Sequence, residues 1–170
     1  MKAPTPTAGV PSSTDPTQTE PIMPQAKKKK PSKFEPGDFA LKVKRSRTGL
    51  GLFAVDPIPK KACIIEYVGK HLTDEEYDRS QSRYLFDIGN GKVLDGTPRW
   101  NRARYINHSC APNCEVELHK KRVYIIALRK IAPGEELSYD YGKEYFDEYL
   151  GKNCLCLKCS PPEQVAQAAE

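Results

Sequence analysis

The sequence predicts a mainly β fold with short helices, and three observations carry that expectation. Residues 39–44 (FALKVK) alternate apolar with polar side chains, and residues 63–68 (CIIEYV) form a β-branched run after two prolines. Further on, two pairs of strand-like runs are each separated by turn residues. Repeated alternation of strand and helix patterns is missing, which argues against a doubly wound parallel sheet.

Taken in order, residues 1–36 hold eight of the fifteen prolines with many Thr and Ser, and Phe34 is their one aromatic. Such a segment buries too little apolar surface to offset chain entropy, so a disordered tail is expected there. Within it Lys27, Lys28, Lys29 and Lys30 form a basic run, read either as a solvated linker or as a nuclear import or phosphate-seeking patch with weak nucleic-acid contact. The strand patterns at 39–44 and 63–68 follow. Thr73 with Glu76 three residues on reads as a capping box opening a short helix over 73–79. Residues 84–88, the Gly89-Asn90-Gly91 turn and residues 92–95 read as a hairpin, and residues 115–118 and 122–128 as a second strand pair around 119–121. Pro133-Gly134 turns the chain before the last motif. A length of 170 residues suits one domain with a tail.

Composition narrows the function classes. Lys+Arg 27 against Asp+Glu 22 gives a net charge of +5, a mild excess that falls short of a dedicated nucleic-acid binder. No apolar run reaches the length of a membrane span and no secretory signal is legible, so an intracellular protein is expected. Six cysteines, three of them crowded at Cys154, Cys156 and Cys159, then favour metal ligation over a disulfide framework. A structural zinc takes four donors, so one more must come from elsewhere in the chain.

One apparent motif is rejected by its context. Gly49-Leu50-Gly51-Leu52-Phe53-Ala54 satisfies a dinucleotide fingerprint, with Asp74 and Glu75 at the spacing of the ribose-binding acid. A phosphate-binding glycine loop must open a helix, and Asp56-Pro57-Ile58-Pro59 forbids one. What survives is that two glycines allow a close approach to the backbone.

Four segments in order carry a resemblance. They are Gly49-x-Gly51, then Tyr67-Val68-Gly69, then Arg104-Tyr105-Ile106-Asn107-His108-Ser109-Cys110-x-Pro112-Asn113, and finally Glu136-Leu137-x-Tyr139-Asp140-Tyr141. Together they resemble the SET-domain family of protein-lysine methyltransferases, and the terminal cysteines resemble its post-SET segment. The resemblance implies a tail over 1–36, a catalytic domain over 37–146, a zinc segment over 147–160 and a flexible C-terminus over 161–170. It also implies a knotted set of small β-sheets in which the Asn-His and Tyr-Asp-Tyr segments thread together, something general topology rules treat as rare.

The same resemblance implies a reaction: transfer of a methyl group from S-adenosylmethionine to a lysine amine of a protein, histone tails or another basic protein being the expected partner. Tyr141 then stands beside the reacting nitrogen, Tyr84 walls the lysine channel, and the hydroxyl of Tyr139 restricts the product to mono- or dimethyl-lysine. Gly49, Leu50, Gly51, Tyr67, Arg104, Asn107, His108 and Tyr141 are implied as the cofactor pocket. Arg104 also has a structural reading, bonding backbone carbonyls or pairing with Asp140 or Glu136. For zinc (Zn2+), the family chooses Cys110 as the fourth ligand beside Cys154, Cys156 and Cys159, with Cys114 as runner-up and Cys63 a buried strand residue. Two features depart from the family pattern: two residues, not four, separate Cys156 from Cys159, and Trp100 stands where many relatives have Gly, either covering the pocket or filling core.

The chemistry fits these residue types. A free lysine with a pKa near ~10.4 is almost wholly charged at pH 7, and an apolar aromatic channel beside a sulfonium favours the neutral amine the reaction needs. Glu144, Asp147, Glu148 and Asp87 supply an acidic rim for a basic peptide, or simply a solvated face. The competing class is a zinc-stabilised chromatin- or nucleic-acid-binding module without catalysis, which intact Tyr141, Asn107 and His108 disfavour. A cysteine hydrolase using His108 and Cys110 lacks a legible oxyanion hole. A monomer is expected, in the nucleus if eukaryotic, or in the cytoplasm or directed to a host if bacterial.

Overall fold

The computed structural model describes residues 32–161. The tail expected over 1–36 and the C-terminus expected over 161–170 therefore lie outside the described residues, apart from 32–36 and 161. Along the chain run β1 (Leu41–Ser46), β2 (Gly49–Ala54), β3 (Cys63–Tyr67), β4 (Lys70–Leu72), α1 (Asp74–Asp78), β5 (Leu85–Asp87) and β6 (Val93–Asp95). A 3-10 turn (Arg102–Tyr105) leads into β7 (Asn107–His108), followed by β8 (Cys114–His119), β9 (Arg122–Ala127), β10 (Ser138–Tyr139) and α2 (Lys143–Tyr145), which passes into a π-helical turn (Phe146–Leu150). No helix among the described residues is long and apolar enough to cross a membrane.

These strands make small separate sheets: β1-β2, β3-β9-β8, β4-β6-β5, and the pair β7-β10. The hairpin expected over 84–95 forms as β5-β6, and the pair around 119–121 as β8-β9. Lys120 and Lys121 both hold positive φ, as a two-residue hairpin turn demands. Helix α1 carries the expected capping box: Thr73 Oγ1 accepts from Glu76 N–H, and Glu76 reaches back to Thr73 N–H. The glycine-rich segment at 49–54 is strand β2, antiparallel to β1, in keeping with the rejection of a nucleotide loop.

Strand β9 explains its own sequence. All of Val123, Tyr124, Ile125, Ile126 and Ala127 are buried, because both faces of its sheet are covered. Val123, Ile125 and Ala127 enter the main core with Leu52, Ile58, Ile106, Ile131 and Leu137. On the opposite face Tyr124 and Ile126 join Cys63 under Phe34. Phe34 stacks flat on His119, with centroids 4.1 Å apart, so residues that composition assigns to the tail seal one face of this sheet.

The pair β7-β10 is parallel, with Ser138 opposite Asn107 and Tyr139 opposite His108. Parallel neighbours need a long crossover, and here the β8-β9 hairpin and the Pro133-Gly134 turn lie within it. Gly134 has φ +87, which suits a glycine turn.

Asn101 holds the approach to β7. It is fully buried, its Nδ2 donates to Gly96 O at 3.0 Å, and its Oδ1 accepts from Val68 N–H at 3.3 Å. Asn101→Ala strands both backbone groups, so denaturant unfolding should show a loss of about 2–3 kcal/mol at unchanged m-value.

Burial also pushes the thiols of Cys63 and Cys114 up, to about 11 and about 12. A folded-state pKa raised above the unfolded value gives stability that is complete below the unfolded pKa and is lost as pH rises through the folded one. The melting temperature should therefore hold up to about pH 8.5 and fall between about pH 9 and 12, a decline that a Cys114→Ala variant shows less steeply.

Candidate active site and metal centre

The β7-β10 register places two aromatic side chains next to a polar pair. Tyr139 lies in β10 and Tyr141 two residues beyond, so both point to the same side, with ring centroids 4.8 Å apart. Tyr141 Oη donates to Ile106 O at 2.8 Å, and its backbone N–H donates to His108 Nδ1 at 3.2 Å. These two bonds fix the ring from the neighbouring strand.

Tyr139 and Tyr141 open on a cleft of about 1320 Å³ that also collects Leu50, Tyr67, Tyr84, Arg104, Asn107 and Tyr145. Tyr67 and Phe86 pack at 4.5 Å and Phe86 lies 6.1 Å from Tyr139, giving one side an aromatic wall. The hydroxyl of Tyr139 has no hydrogen-bond partner among the described residues and is not a buried orphan, so it faces the cleft. Burial raises the phenols of Tyr139, Tyr141 and Tyr67 well above the usual tyrosine range. They stay neutral at any physiological pH.

Arg104 stands differently from its expected structural partners. Among the described residues it pairs with neither Asp140 nor Glu136; its guanidinium lies over the Tyr84 ring at 4.3 Å, and its Nε is buried without a partner. Asp140 instead lies 3.8 Å from His108 Nδ1, and Glu136 is held by Asn107.

Asn107 Nδ2 donates to Glu136 Oε1 at 2.6 Å and to Leu50 O at 3.1 Å. The other carboxylate oxygen accepts from Ser46 Oγ at 2.7 Å. The carboxylate of Glu136 lies where a Cβ on Gly51 would sit, so Gly51 is required by this bridge. Gly49, at φ +116, opens β2 with free space around it. Neither glycine is among the residues that line the large cleft.

His108 has a side chain almost fully buried, which lowers its pKa against the opposing pull of Asp140. Its Nδ1 accepts from Tyr141 N–H, so the neutral ring carries its proton on Nε2, 3.2 Å from Cys110 Sγ. Both ring nitrogens are thus engaged within the protein. A second cleft of about 310 Å³ is lined by Arg47, Asn107, His108, Glu136, Leu155 and Leu157, and Asn107 and Thr48 border both clefts.

Beside it the Sγ atoms of Cys110, Cys154, Cys156 and Cys159 all lie within 4.8 Å of one another. Zn–S bonds of ~2.3 Å in a tetrahedron put sulfurs about 3.8 Å apart, so the four donors fit a zinc ion. The short Cys156–Cys159 spacing is accommodated by a tight turn: Cys159 N–H and Ser160 N–H both donate to Cys156 O, at 3.1 and 2.8 Å. Cys114, the runner-up ligand, lies in the core and donates to Asn113 Oδ1 at 3.3 Å. Burial and the neighbouring thiols push Cys110 up to about 12. Burial acts the same way on Cys156, but backbone contacts with Cys110 and Cys159 outweigh it and bring that thiol down to about 6. Cys156 is therefore the thiol of the group that ionises most readily.

A SET domain model matches residues 49–142. The chain belongs to the SET-domain family. It is 39% identical over 147 residues to a histone-lysine N-methyltransferase, H3 lysine-4 specific, of Chaetomium globosum, covering 76% of this chain and 13% of that protein. It is 41% identical over 125 residues to histone-lysine N-methyltransferase 2D of Homo sapiens, covering 66% of this chain and 2% of that protein. With histone-lysine N-methyltransferase ATXR7 of Arabidopsis thaliana it shares 39% over 117 residues, 61% of this chain and 8% of that protein. The chain thus spans a small part of the length of these relatives.

Sequence reasoning passed over Tyr145 and Glu136's bridging role. Tyr145 packs edge-on against Tyr141 at 5.0 Å, and Tyr149 follows at 4.6 Å. Their spacing of four, Tyr141-Tyr145-Tyr149, was the available signal. Of the acidic rim, Asp87 and Glu144 line the large cleft, while Asp147 is ion-paired with Lys143. Trp100 is 64% exposed, outside the core and outside the lining of these two clefts.

Elemental analysis should find one zinc per chain, retained in Cys114→Ala and lost in Cys154→Ser. Chelation of the native protein should lower its melting temperature and expose residues 154–160 to proteolysis.

Proposed function

We propose that this chain is a protein-lysine methyltransferase that uses S-adenosylmethionine and acts on a basic, histone-type protein in the nucleus. The observation that carries the reading is the convergence of Tyr84, Tyr139 and Tyr141 on one cleft beside Asn107 in a chain of this family. The names of its relatives as histone-lysine N-methyltransferases support the substrate class. In this reading residues 37–146 are the catalytic unit and 147–160 its zinc segment.

S-adenosylmethionine supplies a methyl group on a cationic sulfur that leaves as a neutral thioether. Leu50, Tyr67, Arg104, Asn107 and Tyr141 line the cleft that would hold it, with His108 acting through its bond to Tyr141, Gly49 leaving room at the start of β2 and Gly51 acting through the Glu136–Asn107 bridge. The unpartnered Nε of Arg104 suits the carboxylate of an amino-acid ligand.

The residues of the chain then have to align a neutral amine. Tyr141 stays a phenol, so it does not serve as a base; its oxygen, held against Ile106 O, sets where the lysine nitrogen stops. Tyr84 and Tyr145 narrow the approach, and Asp87 and Glu144 attract the charged side chain to the mouth before its proton passes to water. The free hydroxyl of Tyr139 takes up the space and hydrogen-bonding capacity that a trimethylated nitrogen needs, which favours mono- and dimethyl products.

Incubation of the protein with S-adenosylmethionine and core histones, read by peptide mass spectrometry, tests this. The native chain should add one or two methyls to lysine, Tyr141→Phe should lose at least ~100-fold in rate, and Tyr139→Phe should shift product toward trimethyl-lysine. Cofactor binding without methylation of histones or of lysate proteins would remove the reading.

The pH dependence follows from which groups titrate. With the cleft phenols held neutral by burial, kcat/KM should rise tenfold per unit from pH 7 to about 9 as the lysine loses its proton, with no descending limb from tyrosine.

A further inference from the structure

The β1-β2 hairpin carries charge that the site does not use. Residues 39–55 contain Lys42, Lys44, Arg45 and Arg47 and no acid. All four are exposed, and none forms an ion pair among the described residues, where Lys33, Lys70, Arg79, Arg122, Arg129 and Lys143 all do. Four like charges on one short hairpin repel one another, and a fold that gains nothing from them retains them at a cost.

Their placement is linear. β1 pairs only with β2, so its other edge is open. Leu41 and Val43 turn inward to the core, while Lys42 and Lys44 point outward across from Phe53 and Gly51. Lys44 Nζ lies 5.1 Å over the Phe53 ring, which supports the stem without neutralising the charge. At one end Arg102 Nη2 donates to Leu41 O at 2.5 Å, and at the other Arg47 Nη1 donates to Ser160 O at 2.7 Å. The six residues of β1 span about 20 Å, so the cations follow one another along an edge strand, Lys42 and Lys44 on one face and Arg45 on the other, with an arginine at each end. The neighbouring carboxylates are already engaged: Asp56 accepts from Ala40 N–H, and Glu136, which lies against Gly51 on the Lys44 face, accepts from Ser46 and Asn107.

We infer that β1 is a docking strip for the phosphate backbone of duplex nucleic acid, engaged without reading sequence. Alternate side chains on a strand repeat at about 6.6 Å, close to the roughly 7 Å that separates neighbouring phosphates along a DNA backbone winding about an axis with a rise of ~3.4 Å, so Lys42 and Lys44 meet adjacent phosphates. Phosphate neutralisation by Lys and Arg is the interaction that supplies sequence-independent affinity. Because Leu50 of the large cleft sits opposite Arg45 in the hairpin register, the bound backbone runs beside the cleft mouth. The strip is independent of the lysine-methylation reading and stands or falls without it.

Fluorescence anisotropy of the full chain with a random-sequence 30-base-pair duplex, titrated from 50 to 200 mM salt, decides the matter. The native protein should bind with a steep salt dependence. The variant Lys42→Gln, Lys44→Gln, Arg45→Gln should bind about tenfold more weakly and lose about 2–3 from the log–log salt slope, with an unchanged melting temperature and cofactor affinity. The charge-keeping variant Lys42→Arg, Lys44→Arg should retain binding, which separates charge from any loss of fold. A further variant with Gln at Lys27, Lys28, Lys29 and Lys30 should retain the slope that belongs to β1. Native-like binding by the β1 variant, absence of duplex binding at 50 mM salt, or tighter binding of a glutamate-rich peptide than of the duplex would each overturn the assignment, the last in favour of an acidic protein partner.

Discussion

Two residues of parallel pairing, Asn107-His108 against Ser138-Tyr139, are the constraint on which the site depends. So short a ladder contributes few backbone bonds, and its strength comes from what crosses it. Tyr141 donates from its hydroxyl to Ile106 and from its backbone to His108, Ser109 N–H bonds Tyr139 O, and Asn113 bonds Glu136 O and Ser138 N–H. Asn113 is buried and satisfied on both sides, which makes it a bolt rather than a ligand. Each of these bonds joins residues more than twenty positions apart. The aromatic wall and the polar pair therefore keep their mutual geometry only while the crossover is closed.

The sequence made much of this legible where a local rule applied. The capping box at Thr73, the glycine turn at 89–91 and the apolar run of β9 each have a physical cause within a few residues, and each forms where its pattern stands. The register of β7 on β10 has no such local cause. Its sequence, Asn-His opposite Ser-Tyr, is not a strand pattern, and only the family resemblance brought the two segments together. Phe34 shows the reverse: composition assigned it to a tail, yet one aromatic ring is enough to seal Cys63, Tyr124 and Ile126 on the outer face of a sheet. Arg104 shows that residue type does not fix a partner, because it stacks on Tyr84 where backbone carbonyls or an acidic side chain were expected.

At the candidate site, the residue types were legible and their division of labour was not. Asn107 and His108 read as ligand groups, and the structure engages their side chains inward, with Glu136 as the hub that binds Asn107 and Ser46. An acidic residue beside a Leu-x-Tyr pattern carries no mark that says it will fill the space left by Gly51. That pairing is visible only when the missing Cβ of a glycine and the position of a carboxylate are seen together.

His108 also connects the cysteine group to the cleft. Its Nδ1 lone pair takes the Tyr141 N–H, which leaves the proton on Nε2 and directs it at Cys110 Sγ. A thiolate bound to zinc still accepts a hydrogen bond, and a fixed N–H donor stabilises its charge. A metal held at Cys110 would therefore fix the imidazole from one side while Tyr141 fixes it from the other. The C-terminal cysteines, though they lend no side chain to the large cleft, lie, through Cys110, one hydrogen bond away from the histidine that holds the tyrosine on which that cleft turns.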